Sequence, residues 1–371
     1  MIIIKEVKSS DDWKAFLDLP FKIYKNNPYW VPAIKKNELK SFDSNNNIFK
    51  TVEAKFLLAF KNNVAVGRVV AIINWNEVNS LKKSKVRFGW LEFYDDLEIL
   101  EKLLAEVENF GRKFGLKYIE GPMGFSNMDK AGMLTEGFEY RATMIGIYNH
   151  EYYPKFIKKL GFVPEAEWLE YTFSFDDIDI VKAKKLSTVV EKRYKVSNYH
   201  FKSMDDLMPH VDEMFELLNK TYADLQSFVP IEKFQVEHYK KKYLKYIHPD
   251  FISCVKDENG KMIAFSITMP SFSEGFQKAN GKLFPFGWWH LMRAMKTSNH
   301  AEFYLIGIDP EYQNKGLNAL IFTQLYDSYQ KHGILSIETN PLLEENLKVQ
   351  QLWKNFNPKI HKRRKTFRKD I

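Results

Sequence analysis

One order of elements occurs twice along this chain of 371 residues, and an internal repeat constrains architecture more firmly than any single element does. In the first half, Ile2 to Val7 reads as a strand and Asp12 to Asn26 as a helix. Phe56 to Phe60 and Val64 to Ile73 then flank Asn62-Asn63, residues that tolerate the positive φ of a tight hairpin. Val86 to Phe93 supplies a further strand, and Leu100, Leu103, Leu104, Val107 and Phe110 stripe one face of a helix ending near Gly115. Lys117 to Glu120, a short helix from Tyr153 to Leu160 and a strand from Trp168 to Phe173 close this half. The second half runs in the same order. Tyr194 to Phe201 is its first strand, Val211, Met214, Phe215 and Leu218 mark a helix, and Ile231 to Tyr246 fits another. Phe251 to Val255 and Met262 to Met269 form a hairpin across Glu258-Asn259-Gly260, and a central strand, Phe303 to Ile308, comes next. The fold class expected is α/β of the α+β kind, with two halves, each a mixed, largely antiparallel sheet flanked by helices. The expected domains are 1–178 and 187–371, joined by the polar segment from Asp176 to Leu186, with an insertion, 270–299, in the second.

Composition narrows the function classes. Hydrophobic content of 45% and charged content of 27% suit a globular protein with an ample core. The one cysteine, Cys254, allows no internal disulfide and no cysteine-based metal site, and the histidines, His290 and His332 among them, show no metal spacing, so no metal is expected. Met1 leads directly into IIIKEV, with no signal peptide and no run of transmembrane length, which points to the cytoplasm. A formal charge of +8 favours an anionic partner. Basic residues do not interleave with aromatics on a recognisable platform, so no nucleic acid is expected.

The function is most legible in AEFYLIGIDPEYQNKGLNALIF, which begins at Ala301. Asp309-Pro310 ends the central strand, because proline cannot donate to the ladder. Leu317, Leu320, Ile321 and Leu325 then recur at helical spacing, so Gln313-Asn314-Lys315-Gly316 is the turn into a helix N-terminus. Such a turn presents unpaired N–H groups and the positive end of the helix dipole, an anion site suited to a pyrophosphate, and Lys315 adds a full charge. At the matching place in the first half stand Tyr94-Asp95-Asp96-Leu97-Glu98. Three carboxylates there would repel a pyrophosphate, one charge pair near 4 Å amounting to about 1 kcal/mol in water and about 4 near a protein surface. The second half is therefore the working half.

The order strand, Gln-x-x-Gly-x-x turn, helix, strand from Ile334 to Glu338 and helix from Glu344 to Phe356 resembles the acyl-CoA core of the GNAT N-acetyltransferase superfamily. Over nearly its whole length the chain is similar to a bacterial group of tandem GNAT-like proteins, through NGKLFPFGWWHLMRAM, YLIGIDPEYQNKGLNALIF and ETNPLLEENLKVQQLWKNF. The resemblance implies acetyl-CoA or a longer acyl-CoA as co-substrate, held by Ile308, Gln313, Asn314, Lys315, Gly316, Leu317, Asn318 and Ala319, with Asn346 at the pantetheine arm. Ile308 or Asp309 stands where a backbone N–H would polarise the thioester carbonyl. Asn318 departs from the family's small residue, and Trp353 replaces a tyrosine that would protonate the leaving thiolate, which indole cannot do.

Acyl transfer also needs a base for the amine. Ser336, Glu338 and Asn340 share one strand face, which puts Glu338 at the splay of the central strands, and Glu302 with Tyr304 on the core strand is the rival. Either glutamate could equally be a salt-bridged or solvated acid. For the acceptor, the glycine-rich loop Gly121 to Gly137 offers Asp129 and Glu136, as a wall of the site or within a closing Ω-loop. Trp288 and Trp289 in the insertion, among Phe284, Phe286, Leu291 and Met292 and beside Lys278, Lys282, Arg293 and Lys296, have two readings: a buried hydrophobic plug, or an exposed interfacial segment on anionic lipid at the inner face of the membrane. The second reading suits a long acyl chain and a lipid-like amine such as a sphingoid base; the alternatives are a small-amine acetyltransferase and a non-catalytic CoA-binding or partner-binding module. The basic tail His361 to Lys365 reads as a solvated final strand.

Overall fold

The computed structural model describes residues 1–126, 129–174, 179–223, 230–243, 247–353 and 356–371. In chain order the first half holds β1 (Ile2–Glu6), α1 (Ser10–Ile23), α2 (Lys35–Ser41), β2 (Val52–Lys61), β3 (Val64–Asn74), β4 (Lys85–Phe93), α3 (Leu97–Lys113), β5 (Tyr118–Gly121), β6 (Met133–Glu136), α4 (Tyr152–Lys159) and β7 (Val163–Ser174). The remainder holds α5 (Ile180–Tyr194), β8 (Val196–Tyr199), α6 (Met204–Leu207), α7 (Val211–Tyr222), α8 (Lys233–Tyr243), β9 (Ile252–Asp257) and β10 (Met262–Pro270). It continues through α9 (Ser273–Ala279), α10 (Gly287–Thr297), β11 (His300–Ile308), α11 (Asn318–His332), β12 (Ser336–Thr339), β13 (Leu342–Leu343), α12 (Leu347–Leu352) and β14 (Lys359–Asp370).

The two compact units do not follow the chain in two blocks. The first comprises Met1–Leu169, Ser273–Leu291 and His361–Ile371; the second comprises Glu170–Phe272 and Met292–Ile360. The polar segment read as a linker is helical from Ile180, with Asp179 capping α5 through the Lys182 N–H at 3.0 Å; residues 176–178 lie outside the described residues. The last residues expected in the helix ending at Tyr246 also lie outside them, and α8 is described only to Tyr243.

In the first unit β1 to β4 are antiparallel neighbours, β4 and β5 are parallel, and β14 pairs with β5 and β6. The β2–β3 turn forms as the sequence predicts, Asn62 and Asn63 taking φ of 52° and 61°. The stripe Leu100, Leu103, Leu104 and Val107 of α3 packs with Val69, Ala71, Phe88 and Ile119 on one sheet face, while Phe16, Phe42, Val70, Ile72 and Phe125 form a second cluster. Asp96 caps α3 by accepting from the Glu98 N–H at 3.0 Å and pairs with Lys61 at 3.1 Å.

The tail is not solvated. Lys362 and Arg364 are buried, with the Lys362 ammonium donating to the Arg141 carbonyl at 2.7 Å, while Arg363 and Lys365, alternate along β14, each reach Glu167 at 2.7 Å. Period-two alternation sends every second basic residue inward, where the Arg141 carbonyl accepts from Lys362 and the Ile147 carbonyl from Arg364 Nη1.

The second unit repeats the plan. β8, β9, β10 and β11 are antiparallel in that order, β11 and β12 are parallel, and the end of β7 pairs antiparallel with β12 through Thr172, Phe173 and Ser174. The hairpin at Glu258-Asn259-Gly260 closes with Gly260 at φ 80°, Asp257 accepting from the Asn259 and Lys261 N–H groups at 2.9 Å each. α11 buries Leu320, Ile321, Phe322 and Leu325.

The parallel pair of the first unit carries a closed ionic network. Arg87 bonds Glu77 at 2.7 Å, and Lys85 reaches Glu77 at 3.2 Å and Glu120 at 2.8 Å. Burial alone would raise the Glu77 pKa, but the Arg87 guanidinium and the Lys85 ammonium outweigh it and hold the carboxyl at about 2. Glu77→Gln leaves both cations short of a partner, so a loss of about 3 kcal/mol is expected, read as faster hydrogen exchange of the β4 and β5 amides. Because the folded pKa is depressed, this stabilisation is present above about pH 4.5 and fades as pH falls towards 2, so wild type and variant should converge in acid.

Candidate active site

The site is built where β11 and β12 part. Their parallel register runs from His300 opposite Ser336 through Glu302 opposite Glu338 to Phe303 opposite Thr339, and β12 ends there while β11 continues to Ile308. On its other side β11 is irregular at the same level. Ile267 faces Leu305 and Thr268 faces Phe303, so Tyr304 is an extra residue, a bulge that bends the strand and re-aims side chains. Asn340 bridges the opening, its N–H donating to the Phe303 carbonyl at 2.9 Å and its side-chain amide to the Tyr304 carbonyl at 3.2 Å. Beyond it, the Asp309 N–H donates to the Ile263 carbonyl at 2.8 Å, so alternation turns Ile306 and Ile308 to the open side. There the Ile306 carbonyl accepts from Tyr222 at 3.2 Å, and the Ile308 carbonyl from Thr221 at 3.3 Å and Gln313 at 3.2 Å. Of the two backbone donors expected from sequence, Asp309 is thus already engaged; Ile308 is the one whose backbone faces the opening.

Alternation places His300, Glu302, Ser336, Glu338 and Asn340 on one face of the strand pair. Glu302 is fully buried and accepts from Ser271 Oγ at 2.6 Å and from the Tyr304 hydroxyl at 2.5 Å. Burial pushes its carboxyl up, the two hydroxyls oppose the shift, and the Glu338 charge adds to it. Glu338 is buried beside His300, whose Nε2 lies 3.5 Å from it and whose Nδ1 meets Ser336 Oγ at 2.8 Å. Glu170 on β7 brings a carboxylate oxygen within 4.8 Å of one on Glu338. Sequence reasoning missed Glu170, His300 and Ser271. The signal for Glu170 was an acid inside an apolar strand, and for His300 its place two residues before Glu302; nothing local marked Ser271.

At the far end of β11, Asp309 caps the turn Pro310–Tyr312 and is held by Lys220, 2.9 Å from each of its oxygens. Asn314 and Gly316 take φ of 61° and 82°, which turns the chain into α11. No side chain caps α11, and among the described residues the N–H groups of Gly316, Leu317 and Asn318 have no backbone acceptor. These free amides at the start of a fifteen-residue helix form an anion cradle. Gly316 is required by its φ; a Cβ there would also approach Val190 to 3.1 Å. Lys315 lies over Tyr312 and Tyr194, its ammonium 4.8 and 5.3 Å from the two ring centroids.

Asn346 caps α12, accepting from the Val349 N–H at 3.3 Å. Trp353 is fully buried among Phe303, Phe322 and Phe173, with centroids 4.8 to 5.5 Å away, so it is a core residue. The remaining residues expected from sequence belong to the first unit. Asp129 accepts from the Ser126 N–H and hydroxyl at 3.0 and 3.2 Å, and Glu136 forms an exposed pair with Arg363 at 3.3 Å. In the insertion, Gln277 anchors α9 by donating to the Pro28 and Trp30 carbonyls at 2.8 and 3.0 Å. Phe284, Phe286, Trp288 and Trp289 are not buried as a plug; they are 77, 69, 49 and 45% exposed.

No family model matches the chain. Across 381 aligned residues it is 25% identical to Protein YghO of Escherichia coli, covering all of this chain and 95% of that protein. It is 22% identical over 317 residues to a protein of Caulobacter vibrioides named bacterial ceramide synthase, covering 83% of this chain and 80% of the other. Among solved structures, a tandem GNAT protein from the clavulanic acid biosynthesis pathway matches with a TM-score of 0.59 at 11% identity, over all of this chain and 98% of that one. The fold is the tandem GNAT fold. The bulged strand, the parting parallel pair and the uncapped α11 are thus local features of a chain with this fold, and they fall together in its second unit.

Glu302 gives this site a pH signature. A buried acid with a raised pKa keeps its proton when folded at pH values where the unfolded chain has lost it, so stability falls as pH rises above its ordinary value near 4.5. Glu302→Gln removes that cost. The variant should melt higher than wild type at pH 7.5 and equally at pH about 4, with scanning calorimetry as the check; a lower melting temperature at pH 7.5 would overturn the assignment.

Proposed function

We propose that the second unit binds acyl-CoA at Gln313 to Ala319 and transfers the acyl group to an amine, with Glu338 as the base. The observation that carries this reading is the parting of β11 and β12, which sets two buried carboxylates side by side and leaves a backbone edge, paired with no strand among the described residues, on β11, whose end runs into the anion cradle of α11. The pyrophosphate would accept from the Gly316, Leu317 and Asn318 amides. Asn340 and the Ile308 backbone would align the thioester arm, with Asn346 further along it.

In the reaction an ammonium acceptor gives one proton to Glu338, and the neutral amine attacks the thioester carbonyl. The C–N bond forms, the C–S bond breaks, and the CoA thiolate and a proton are released. His300, in reach of Glu338 and partly exposed, can carry the proton towards water. Glu302, whose carboxyl burial pushes up, accepts from the Tyr304 hydroxyl and orients it. Trp353 supplies no acid, and a thiol pKa near 8.5 makes an unassisted thiolate departure feasible.

The insertion supports one acceptor class. Phe284, Phe286, Trp288, Trp289 and Met292 are exposed beside exposed Lys282, Arg293 and Lys296, a pattern suited to an anionic lipid surface. A long acyl chain and a lipid-like amine such as a sphingoid base fit that surface, and the name of the Caulobacter relative agrees with this class. No helix among the described residues is long and apolar enough to cross a membrane, so the contact proposed is peripheral.

Three measurements test the reading. Calorimetry should show CoA binding that Gly316→Asp nearly abolishes, with Gly316→Ala, which shares the backbone strain but adds no charge, losing less; equal losses would remove the pyrophosphate assignment. Thiol release should rise with acyl chain length, and Glu338→Gln should lower turnover by about a hundredfold or more at unchanged acyl-CoA affinity. If Glu302→Gln is the more damaging variant, the base is Glu302. Anionic vesicles should bind the protein at low salt and release it at high salt, and Trp288→Ser with Phe286→Ser should abolish binding; acetyl-CoA preference without vesicle binding would leave a small-amine acetyltransferase.

A further inference from the structure

At the end of α11 opposite the anion cradle, two side chains of one turn meet a third 82 residues further along the chain. His332 closes the last turn of the helix, and His248 and Asp250 flank Pro249 in the turn before β9. His332 Nε2 lies 2.8 Å and His248 Nδ1 3.9 Å from the same Asp250 oxygen, and the three ligand atoms all fall within 4.8 Å of one another. We infer that His248, Asp250 and His332 form a site for a divalent transition-metal ion, Zn²⁺ or a metal of similar preference, at the junction of β9 and α11.

The chemistry of the donors is that of zinc: two imidazoles and one carboxylate, leaving a fourth position open to water. The frame is already fixed. Ser328 Oγ donates to the Asp250 carbonyl at 2.5 Å, and the buried Phe251 ring packs 5.7 Å from Tyr329 and 5.0 Å from His332, so both elements are tied before any ion arrives. Ligands about 2.0 to 2.1 Å from an ion stand a little over 3 Å apart in a tetrahedron, so the observed separations need side-chain rotations in which His248 Nδ1 exchanges the Asp250 N–H that it accepts from at 3.2 Å for the ion. The side chains are 25 to 47% exposed, so an ion can enter from solvent. Lys331 competes, its ammonium 2.7 Å from the Asp250 oxygen that His332 also meets. It occupies the carboxylate as a cation would, and it is itself 68% exposed and free to swing away. The site lies at the opposite end of α11 from the proposed acyl-CoA turn and stands independently of that function.

The test is a Zn²⁺ titration of untagged, chelator-dialysed full-length protein by calorimetry, with Co²⁺ absorption as a reading of geometry. One equivalent of Zn²⁺ should bind and raise the melting temperature, and Co²⁺ should give the visible bands of a tetrahedral centre. His332→Ala and His248→Ala should each weaken binding by at least about tenfold, the loss that even an outer-shell partner causes. Lys331→Met, which removes the competing charge and leaves the ligands, should tighten it. Absence of a one-equivalent Zn²⁺ site, or affinity unchanged in both histidine variants, or weaker binding in Lys331→Met, would overturn the inference.

Discussion

The second unit depends on one departure from regular pairing, the bulge at Tyr304 opposite the end of β12. A strand paired on both sides has no backbone groups to offer a ligand. Here β12 stops at Thr339, the extra residue in β11 changes the local twist, and the remaining length of β11 keeps one edge unpaired by any strand among the described residues. Asn340 spans the opening with two hydrogen bonds, so the parting is held by specific contacts rather than by looseness. Up to the break, regular alternation turns Glu302 and Glu338 onto one face and Phe303, with Trp353 and Phe322 packed on it, onto the other.

That arrangement separates two tasks by sheet face. The aromatic cluster on the α11 side gives rigidity, since buried rings interdigitate at crystal-like density. The opposite face holds groups whose burial is costly: Glu302, Glu338 and Glu170 are all buried. Such groups persist where the surrounding structure over-determines them, as Ser271 and Tyr304 do for Glu302, and sites with displaced pKa values are the places where proton transfer is arranged.

Much of this was legible in the sequence, for physical reasons that can be named. The Asn62-Asn63 turn, the α11 stripe and the shared face of Ser336, Glu338 and Asn340 are local, and a period of two or 3.6 residues reads them directly. What failed was long-range. The burial of Lys362 and Arg364 depends on carbonyls more than two hundred residues away, and a run of basic residues carries no mark of which neighbours will cover it. His248, Asp250 and His332 meet across 82 residues, so no spacing rule could join them. Lys315 adds its charge beside the turn with its ammonium over the rings of Tyr194 and Tyr312, a placement no local pattern marks, because a lysine stem lies along whatever apolar surface the fold provides.

The two units differ in how each treats its helix start and its parallel strand pair. In the first, Asp96 caps α3, and Arg87, Lys85, Glu77 and Glu120 neutralise one another at β4 and β5. In the second, α11 begins with no side-chain cap and its strand pair sets a glutamate opposite a glutamate. A missing cap costs about 1 kcal/mol, and apposed buried acids cost more. The first unit therefore has every feature of a fold stabilised by its own groups. The second leaves amide donors without a backbone acceptor at the start of α11 and buries two acids side by side on β11 and β12, a cost that a bound anion at the helix and a cationic amine at the carboxylates would each lower. The asymmetry supports the proposed placement of binding in the second unit on grounds that do not depend on the motif Gln313-x-x-Gly316.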